Sequence, residues 1–506
     1  MSSVPFENYL LHFTWIFPLG MALIMTLVPS GRVVLIRRLA AGVAAVNLMA
    51  VSLLAFSFLK MSLDVDPGTT RSTLAFASRL RWLPSLGAEY FVGVDALSLV
   101  LMFLAAVIVL CGTLASWRIE TRVKEFFILL QVLAAGTFGT FMSFDLLAFF
   151  FFNEMTLIPT YLLIAVFGSG AKEKAAMKLI MLLMAGSALV LLGILGVYFE
   201  SGLRTFNLIE LAQVKFDPAF QHWAFPALFL GFALLGNLFP LHIWSPDGHA
   251  SAPTAVSMFL AGVHMKIGSY GCLRVAMYLL PEGSREWAGI FFALSVAGSL
   301  WGAFAAARQT DLKYMNAYAS VSHCALVFLG LCALNATAMR GAVMQMVAHG
   351  LITAVFFCLI GMIYERTHTR MIPEMGGLMR SVPFLGVCLV LAGFASLGLP
   401  GLAGFPAELN IFLGGFLGAS TAVRVGTFLA IGSLVIASVY VLRGVNAVLH
   451  GPARETAHPI QDAGTVEKCA LLILLFCIVA MGLAPGWMAT RIDDALIPIL
   501  NNLRRP

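Results

Sequence analysis

The chain has 506 residues, 60% hydrophobic and 11% charged, with a formal net charge of +6 and a mean hydropathy of +0.93. Soluble domains carry about 25% charged residues, so this composition excludes a soluble enzyme and describes a polytopic membrane protein. Alternating ten-residue strands are absent, which argues against a barrel, and the Lys and Arg cluster in loops, where they report topology rather than nucleic-acid binding.

Taken in chain order, the N-terminal MSSVPFENYL lacks a basic region, so no cleaved signal peptide is expected and the first apolar run stays as a helix. Apolar runs of about 20 residues, enough to cross roughly 30 Å of hydrocarbon, predict fourteen spans. They lie near 10–28, 39–59, 96–116, 125–143, 146–167, 177–199, 223–243, 253–280, 287–307, 312–334, 339–364, 383–415, 422–442 and 467–489. The mixed segment 60–95 is expected to form a small hairpin or cap on the outer face. No low-complexity linker divides the chain. With the N-terminus outside, the inner loops hold 17 of the 31 Lys and Arg and the outer regions 12, leaving Lys266 and Arg274 inside a span. That bias predicts an N-out orientation. Arg32, Arg118, Lys172, Lys313, Arg370, Arg454 and Lys468 are among the inner cations.

Two interruptions resemble each other. GNLFPLHIWSPDGHASAPTA at 236–255 and SLGLPGLAGFPAELN at 396–410 both break apolar runs with Gly and Pro, at Pro240, Pro246, Pro400 and Gly401. Matched interruptions in two halves of a membrane protein point to inverted repeats with broken helices. In lipid such breaks survive only where the freed backbone faces protein or water.

A few ionisable groups fall inside the spans. Glu154 lies about 12 Å along its helix and Lys266 about 20 Å along the eighth span. His264 accompanies Lys266 in LAGVHMKIGSYG, His323 lies in MNAYASVSHCALVFLG and His349 in VMQMVAHGLITAVFF. Glu408 follows the second break, His242 sits at the first, and Lys178 enters the sixth span. Intramembrane acids, lysines and histidines mark an ion or proton pathway by default. A lone buried His also serves as a helix–helix hydrogen-bond partner, and Lys178 near a helix end also snorkels; both readings stay open. Asp95 and Asp145 at span ends read as solvated or capping. The eight cysteines, Cys111, Cys272, Cys324, Cys332, Cys358, Cys388, Cys469 and Cys477, form no CxxC pair and read as small buried hydrophobes.

The segment PLHIWSPDGHASAPTAVSMFLAGVHMKIGSYGCLRV resembles the signature of proton-pumping NADH:quinone oxidoreductase (complex I) membrane subunits and their antiporter relatives. FNEMTLIPTYLLIAVFG resembles the glutamate helix of the same family, and GVDALSLV, DLKYMNAYASVSHCALVFLG, GAVMQMVAHGLITAVFF and YERTHTRMIPEMGGL resemble further blocks in the same order. Glu408 and the short C-terminus are similar to the M-type subunit, called subunit 4 in mitochondria. The resemblance implies an all-α fold of about fourteen helices with two inverted five-helix repeats. The corresponding divisions are N-terminal helices and hairpin over about 1–95, repeats at 125–280 and 287–442, and a last helix and tail at 467–506.

The resemblance implies a proton half-channel in each repeat. Glu154 would be the acidic switch, Lys266 the central relay and Glu408 the exit-side group, with Lys178, His242, His323 and His349 lining the path. It also implies no cofactor or metal on this chain, with FMN, iron–sulfur clusters, NADH and quinone on other subunits. The expected partners are L-type and N-type neighbours, the lipid bilayer and protons, in a bacterial inner membrane with the N-terminus periplasmic. A sodium/proton antiporter subunit, a membrane-bound hydrogenase or bicarbonate-uptake subunit, and a non-pumping structural subunit are the alternatives. One departure stands out. The family usually places a Lys seven residues before the His of PLHIW, and this chain has Leu235 there, with no Lys or Arg between Lys215 and Lys266. Three accounts follow: Lys178 or His264 supplies the charge beside Glu154, the channel is altered or idle, or the complex is a divergent one.

Overall fold

The structure, a computed structural model, describes residues 6–61, 74–418, 420–452 and 460–504; Arg454 lies outside them. The chain opens with α1 (Phe6–Leu27) and α2 (Val33–Lys60), followed by an antiparallel hairpin of β1 (Ala75–Leu83) and β2 (Ala88–Val94). The predicted cap is therefore realised over 75–94, and residues 62–73 of it are outside the described residues. Then come α3 (Ala96–Ala115), α4 (Val123–Met142), α5 (Leu146–Phe167), α6 (Lys172–Ser201), the single turn α7 (Leu208–Leu211) and α8 (Pro218–Leu235). Four of these helices, α3, α5, α7 and α8, start where short polar side chains take up free backbone N–H groups. Asp95 accepts from Ser98 N, Asp145 from Leu147 N and Ala148 N, and Asp217 from Ala219 N. Asp145 also accepts from Glu89 N at 3.0 Å, so one buried carboxyl caps α5 and docks the hairpin. Both Asp95 and Asp145 are caps, as expected, but both are buried rather than solvated.

After α8 the chain breaks. A 3₁₀ turn at Leu241–Trp244 leads into α9 (Ser245–Ser251), and α10 (Thr254–Phe259) then runs through a π turn at Leu260–His264 into α11 (Met265–Gly271) and a second π turn at Cys272–Met277. Pro240 precedes the 3₁₀ turn and Pro246 lies in the first turn of α9, a position that costs Pro no hydrogen bond. The remainder comprises α12 (Pro281–Arg308), α13 (Leu312–Cys332), α14 (Ala336–Thr367), the short α15 (Leu378–Ser381), α16 (Pro383–Ser396), α17 (Gly404–Leu417), α18 (Thr421–Leu449), α19 (Thr465–Leu483) and α20 (Gly486–Arg504). Pro400 and Gly401 fall between α16 and α17, where Gly398 and Gly401 take φ of +63° and +90°.

Among the described residues, twelve helices are long and apolar enough to cross a membrane. The other two predicted spans, 253–280 and 383–415, are interrupted helical stretches: the first carries the two π turns, and the second is split into α16 and α17. The expected C-terminal tail is instead α20, an amphipathic helix that buries Met488, Ile492, Leu496, Ile499 and Leu503. Along its apolar length α14 is buried throughout and α13 nearly so, whereas α1, α6 and α18 turn most of theirs outward. Outward residues such as Leu27, Met181, Phe199 and Phe428 suit lipid or neighbouring subunits. The polar groups of the site are thus carried by the inner helices of the bundle.

Candidate functional site

Four of the singled-out residues form one buried line. Lys266 Nζ lies 2.6 Å from His349 Nδ1 and donates to the carbonyl of Ala261, inside the first π turn, at 2.5 Å. The His349 ring stacks on that of His323, with centroids 5.6 Å apart. His323 Nδ1 stands 3.4 Å from Glu408 Oε1 and 3.4 Å from Gln345 Nε2. None of the four is more than 5% exposed. The line crosses four helical elements: α11, α14, α13 and α17. No carboxylate pairs directly with Lys266 among the described residues; its partners are an imidazole and a carbonyl.

The second break delivers Glu408. The chain turns at Gly398, and a side chain there would collide with Glu408 Oε2. A Cβ there would push the Glu408 carboxylate aside, and the positive φ suits glycine. Tyr440 of α18, whose hydroxyl is buried without a protein partner, lies within electrostatic reach of Glu408. Arg340 of α14 binds Asn410 Oδ1 at 2.7 Å on one side and Asp493 of α20 at 2.7 Å on the other, fixing α17 one half-turn beyond Glu408.

The first break gathers a second set. Lys178 Nζ pairs with Asp247 Oδ2 at 2.7 Å, and Tyr314 donates to the same carboxylate at 3.3 Å. Lys178 is therefore committed to α9 rather than to Glu154. His242 stacks on Phe239, with its Nδ1 unpartnered. The carbonyls freed at the end of α9 receive cations: Ala250 from Arg370 at 2.8 Å and Ala252 from Lys313 at 2.7 Å. Positive charge at a helix C-terminus is favourable on both hydrogen-bond and dipole grounds. Asp311 caps α13 and holds Arg370 at 2.5 Å.

Sequence reasoning missed several members of this set. His249 is fully buried against Phe357, both its ring nitrogens lack protein partners, and it lies within electrostatic reach of Lys266, Lys313 and His264. It stands between the set at the break and the line from Lys266. Its position between Pro246 and Pro253 in the small-residue stretch DGHASAP was the available signal. Lys313 reads in the sequence as a loop cation; nothing in its neighbourhood separates it from one that is solvated. Gln345 shares a face of α14 with His349, four residues away, which is visible in the spacing.

Glu154 stands apart. It is half-buried on α5, and among the described residues its one hydrogen-bond partner is the Ser187 hydroxyl of α6. Among the described residues no Lys, Arg or His lies at ion-pair distance from it. Leu235, where the usual lysine would be, is buried at the end of α8. His264 is fully buried, and both of its ring nitrogens lack partners. So neither Lys178 nor His264 supplies a direct counter-charge, and the first account of the departure is set aside.

Two further ties bound this region. Arg274 forms a buried ion pair with Asp95 and donates to the Tyr270 hydroxyl at 3.2 Å. At the opposite end of the bundle, Arg366 binds Glu467 at 2.7 Å, with Arg118 3.7 Å from the same carboxylate. Among the described residues no group of three or more His, Cys, Asp or Glu is arranged to hold a metal.

Residues 143–438 match the family described as the NADH:quinone oxidoreductase/Mrp antiporter transmembrane region. A protein named NAD(P)H-quinone oxidoreductase chain 4 1 from a Picosynechococcus species is 35% identical over 496 residues, covering 96% of this chain and 91% of its own. NAD(P)H-quinone oxidoreductase chain 4 from Gloeobacter violaceus is 34% identical, covering 86% and 84%. Among solved structures, a chain of respiratory complex I from Thermus thermophilus superposes with a TM-score of 0.87 at 27% identity, covering 98% of this chain and all of the other. A chain of the Mrp complex from Dietzia shares the fold, with a TM-score of 0.84 at 19% identity over 98% of this chain.

Proposed function

The chain belongs to the NADH:quinone oxidoreductase/Mrp antiporter family of membrane subunits, and from that membership we propose that it carries protons through a quinone oxidoreductase complex along the line Lys266, His349, His323 and Glu408. It is a multi-pass, antiporter-like subunit of the complex I type, related to the chain 4 subunits. The single observation that supports the proton path best is the short, buried contact of Lys266 Nζ with His349 Nδ1 at 2.6 Å. At that distance a proton passes between an ammonium and a neutral imidazole with little movement. The rings of His349 and His323 are too far apart for a direct hydrogen bond. The unpartnered Nε2 atoms of both call for water, as buried polar groups generally do.

In this reading Asp247, Lys178, His242 and His249 feed the line from the first break, and Glu408 releases protons at the second. The two halves, 125–280 and 287–442, act as repeats, each contributing one break. His264, beside Lys266 with two free ring nitrogens, is a further proton-binding group. Glu154 responds to charge brought from outside the chain, because among the described residues its hydrogen-bond partner is Ser187 alone. The redox groups, FMN, iron–sulfur clusters, NADH and quinone, belong to other subunits, and L-type and N-type chains are the neighbours. The N-terminus lies on the outer side of a bacterial inner membrane.

The test is to purify the complex through a C-terminal tag in mild detergent, identify its subunits by mass spectrometry, and measure proton uptake in inverted vesicles. Flavin and iron–sulfur subunits, together with redox-driven uptake that Lys266→Ala cuts by about 100-fold, are the expected results. Co-purification with antiporter-type subunits alone would move the chain to gradient-driven exchange. Normal uptake in Lys266→Ala would end the relay.

A further inference from the structure

An elongated cleft of about 350 Å³ opens on the flank of the bundle between α2, α3, α14, α19 and α20. Apart from Ser52, Cys477 and Arg491 its lining is apolar. Four of the five helices are long and apolar enough to cross a membrane, so the cleft opens towards hydrocarbon. Its rim residues Phe56 and Trp487 are each more than half exposed, while Val347 and Leu351 at its floor are buried.

We propose that this cleft holds an acyl chain of an anionic phospholipid, whose phosphate is drawn to Arg491 and Lys60. The inference does not depend on the proton path; it needs only that the chain spans a bilayer. Arg491 sits on the rim, and its nearest carboxylate, Asp494, is 3.8 Å away, too far for a bidentate pair, so guanidinium donors remain for a phosphate. Lys60 ends α2, with its ammonium 4.2 Å from the centre of the Phe56 ring. Arg491 and Trp487 at the mouth of an apolar cleft, with Lys60 over the ring of the rim residue Phe56, mark the headgroup level. The two cations outweigh the single carboxylate, which favours an anionic over a zwitterionic headgroup. Each cation near the surface is expected to favour the anionic lipid roughly fivefold.

The floor gives the lipid a place in the mechanism's scaffold. Val347 and Leu351 are four residues apart on one face of α14, and His349 between them projects to the other face, towards Lys266. The acyl chain therefore backs the helix segment that presents His349.

The experiment uses the intact complex in vesicles containing phosphatidylglycerol with a photoactivatable diazirine in its acyl chain, and in parallel the same probe as phosphatidylcholine. After illumination the labelled peptides are mapped by mass spectrometry. Label in residues 476–491, severalfold higher with phosphatidylglycerol, is expected. The double variant Lys60→Gln, Arg491→Gln should fall to the phosphatidylcholine level, while Arg491→Lys should keep most of the label and so control for folding. Ala480→Trp, which fills the cleft, should lower labelling by both probes. No label in these peptides, as when a neighbouring subunit or a quinone tail fills the cleft, would overturn the proposal. So would equal labelling by the two lipids, or undiminished labelling in the double variant.

Discussion

The two intramembrane glutamates occupy opposite kinds of place. Glu408 is 4% exposed, backed by a glycine turn and faced by His323 at 3.4 Å. Glu154 is half-buried on the outer side of α5, with one neutral hydroxyl for company. A buried carboxylate among fixed partners takes its charge state from the groups that its own chain provides. A half-buried one with a single neutral partner is open to whatever stands beside the subunit. On the proposed reading Glu408 is an internal station and Glu154 a receiver of outside signals, and Leu235 leaves the second more dependent on neighbours than an internal lysine would.

The sharpest way to break this contrast is to disable the internal line. Lys266→Ala is expected to cut redox-driven proton uptake by about 100-fold, the scale of a lost positioned proton-transfer group. Lys266→Arg should be nearly as poor, because arginine keeps its charge but does not give up its proton. Uptake close to normal in the arginine variant would mean that Lys266 acts only as a fixed charge.

Chemical access separates the two acids next. An apolar carbodiimide applied to the isolated subunit in detergent should modify Glu154 faster than Glu408, since it attacks only carboxyls it can reach, and Glu154 is the more exposed. Peptide mapping reads the two sites in one sample. Protection of Glu154 in the whole complex would identify the neighbour's face; equal rates in the isolated subunit would erase the distinction.

A smaller effect tests the scaffold beneath Glu154. Asp145→Ala removes the cap of that helix and should cost about 1 kcal/mol. Burial raises the Asp145 carboxyl from its ordinary 3.8 to about 6. A value raised in the folded state contributes stability that is complete below 3.8 and is lost as pH rises through about 6. The melting temperature of the wild-type complex should contain a fall over that window which Asp145→Asn lacks. The smallest effect concerns Lys178. Its pair with Asp247 is partly exposed, so a double-mutant cycle of Lys178→Ala and Asp247→Asn should give a coupling of ~0.2–1 kcal/mol. A zero coupling, or a larger one between Lys178→Ala and Glu154→Gln, would return Lys178 to the role first considered for it.

The spans were legible because length, apolarity and flanking charge act locally along the chain. The breaks were legible because Gly and Pro cannot continue a helix in lipid without compensation. Lys266 and Glu408 declared themselves by their cost in the membrane. What sequence could not supply was pairing across helices. Lys178 and Lys313 look alike as inner cations, yet one binds Asp247 and the other the Ala252 carbonyl, because the fold brings distant residues within hydrogen-bond distance. The helix α20 reads as a tail in the sequence because its polar composition hides an apolar stripe at helical spacing, Ile492, Leu496, Ile499 and Leu503. His249 was overlooked because a histidine among small residues reads as part of a turn until its burial is known.

The stretch that carries Lys266 is moored at both ends. At one, Arg274 is locked to Asp95; at the other, Arg370 and Lys313 grip the carbonyls just before α10. Two π turns lie between the moorings. Tethers at both ends oppose sliding of the stretch as a piston, and the expected way to displace Lys266 is rewinding between them, a torsion that would change the direction its lysine points.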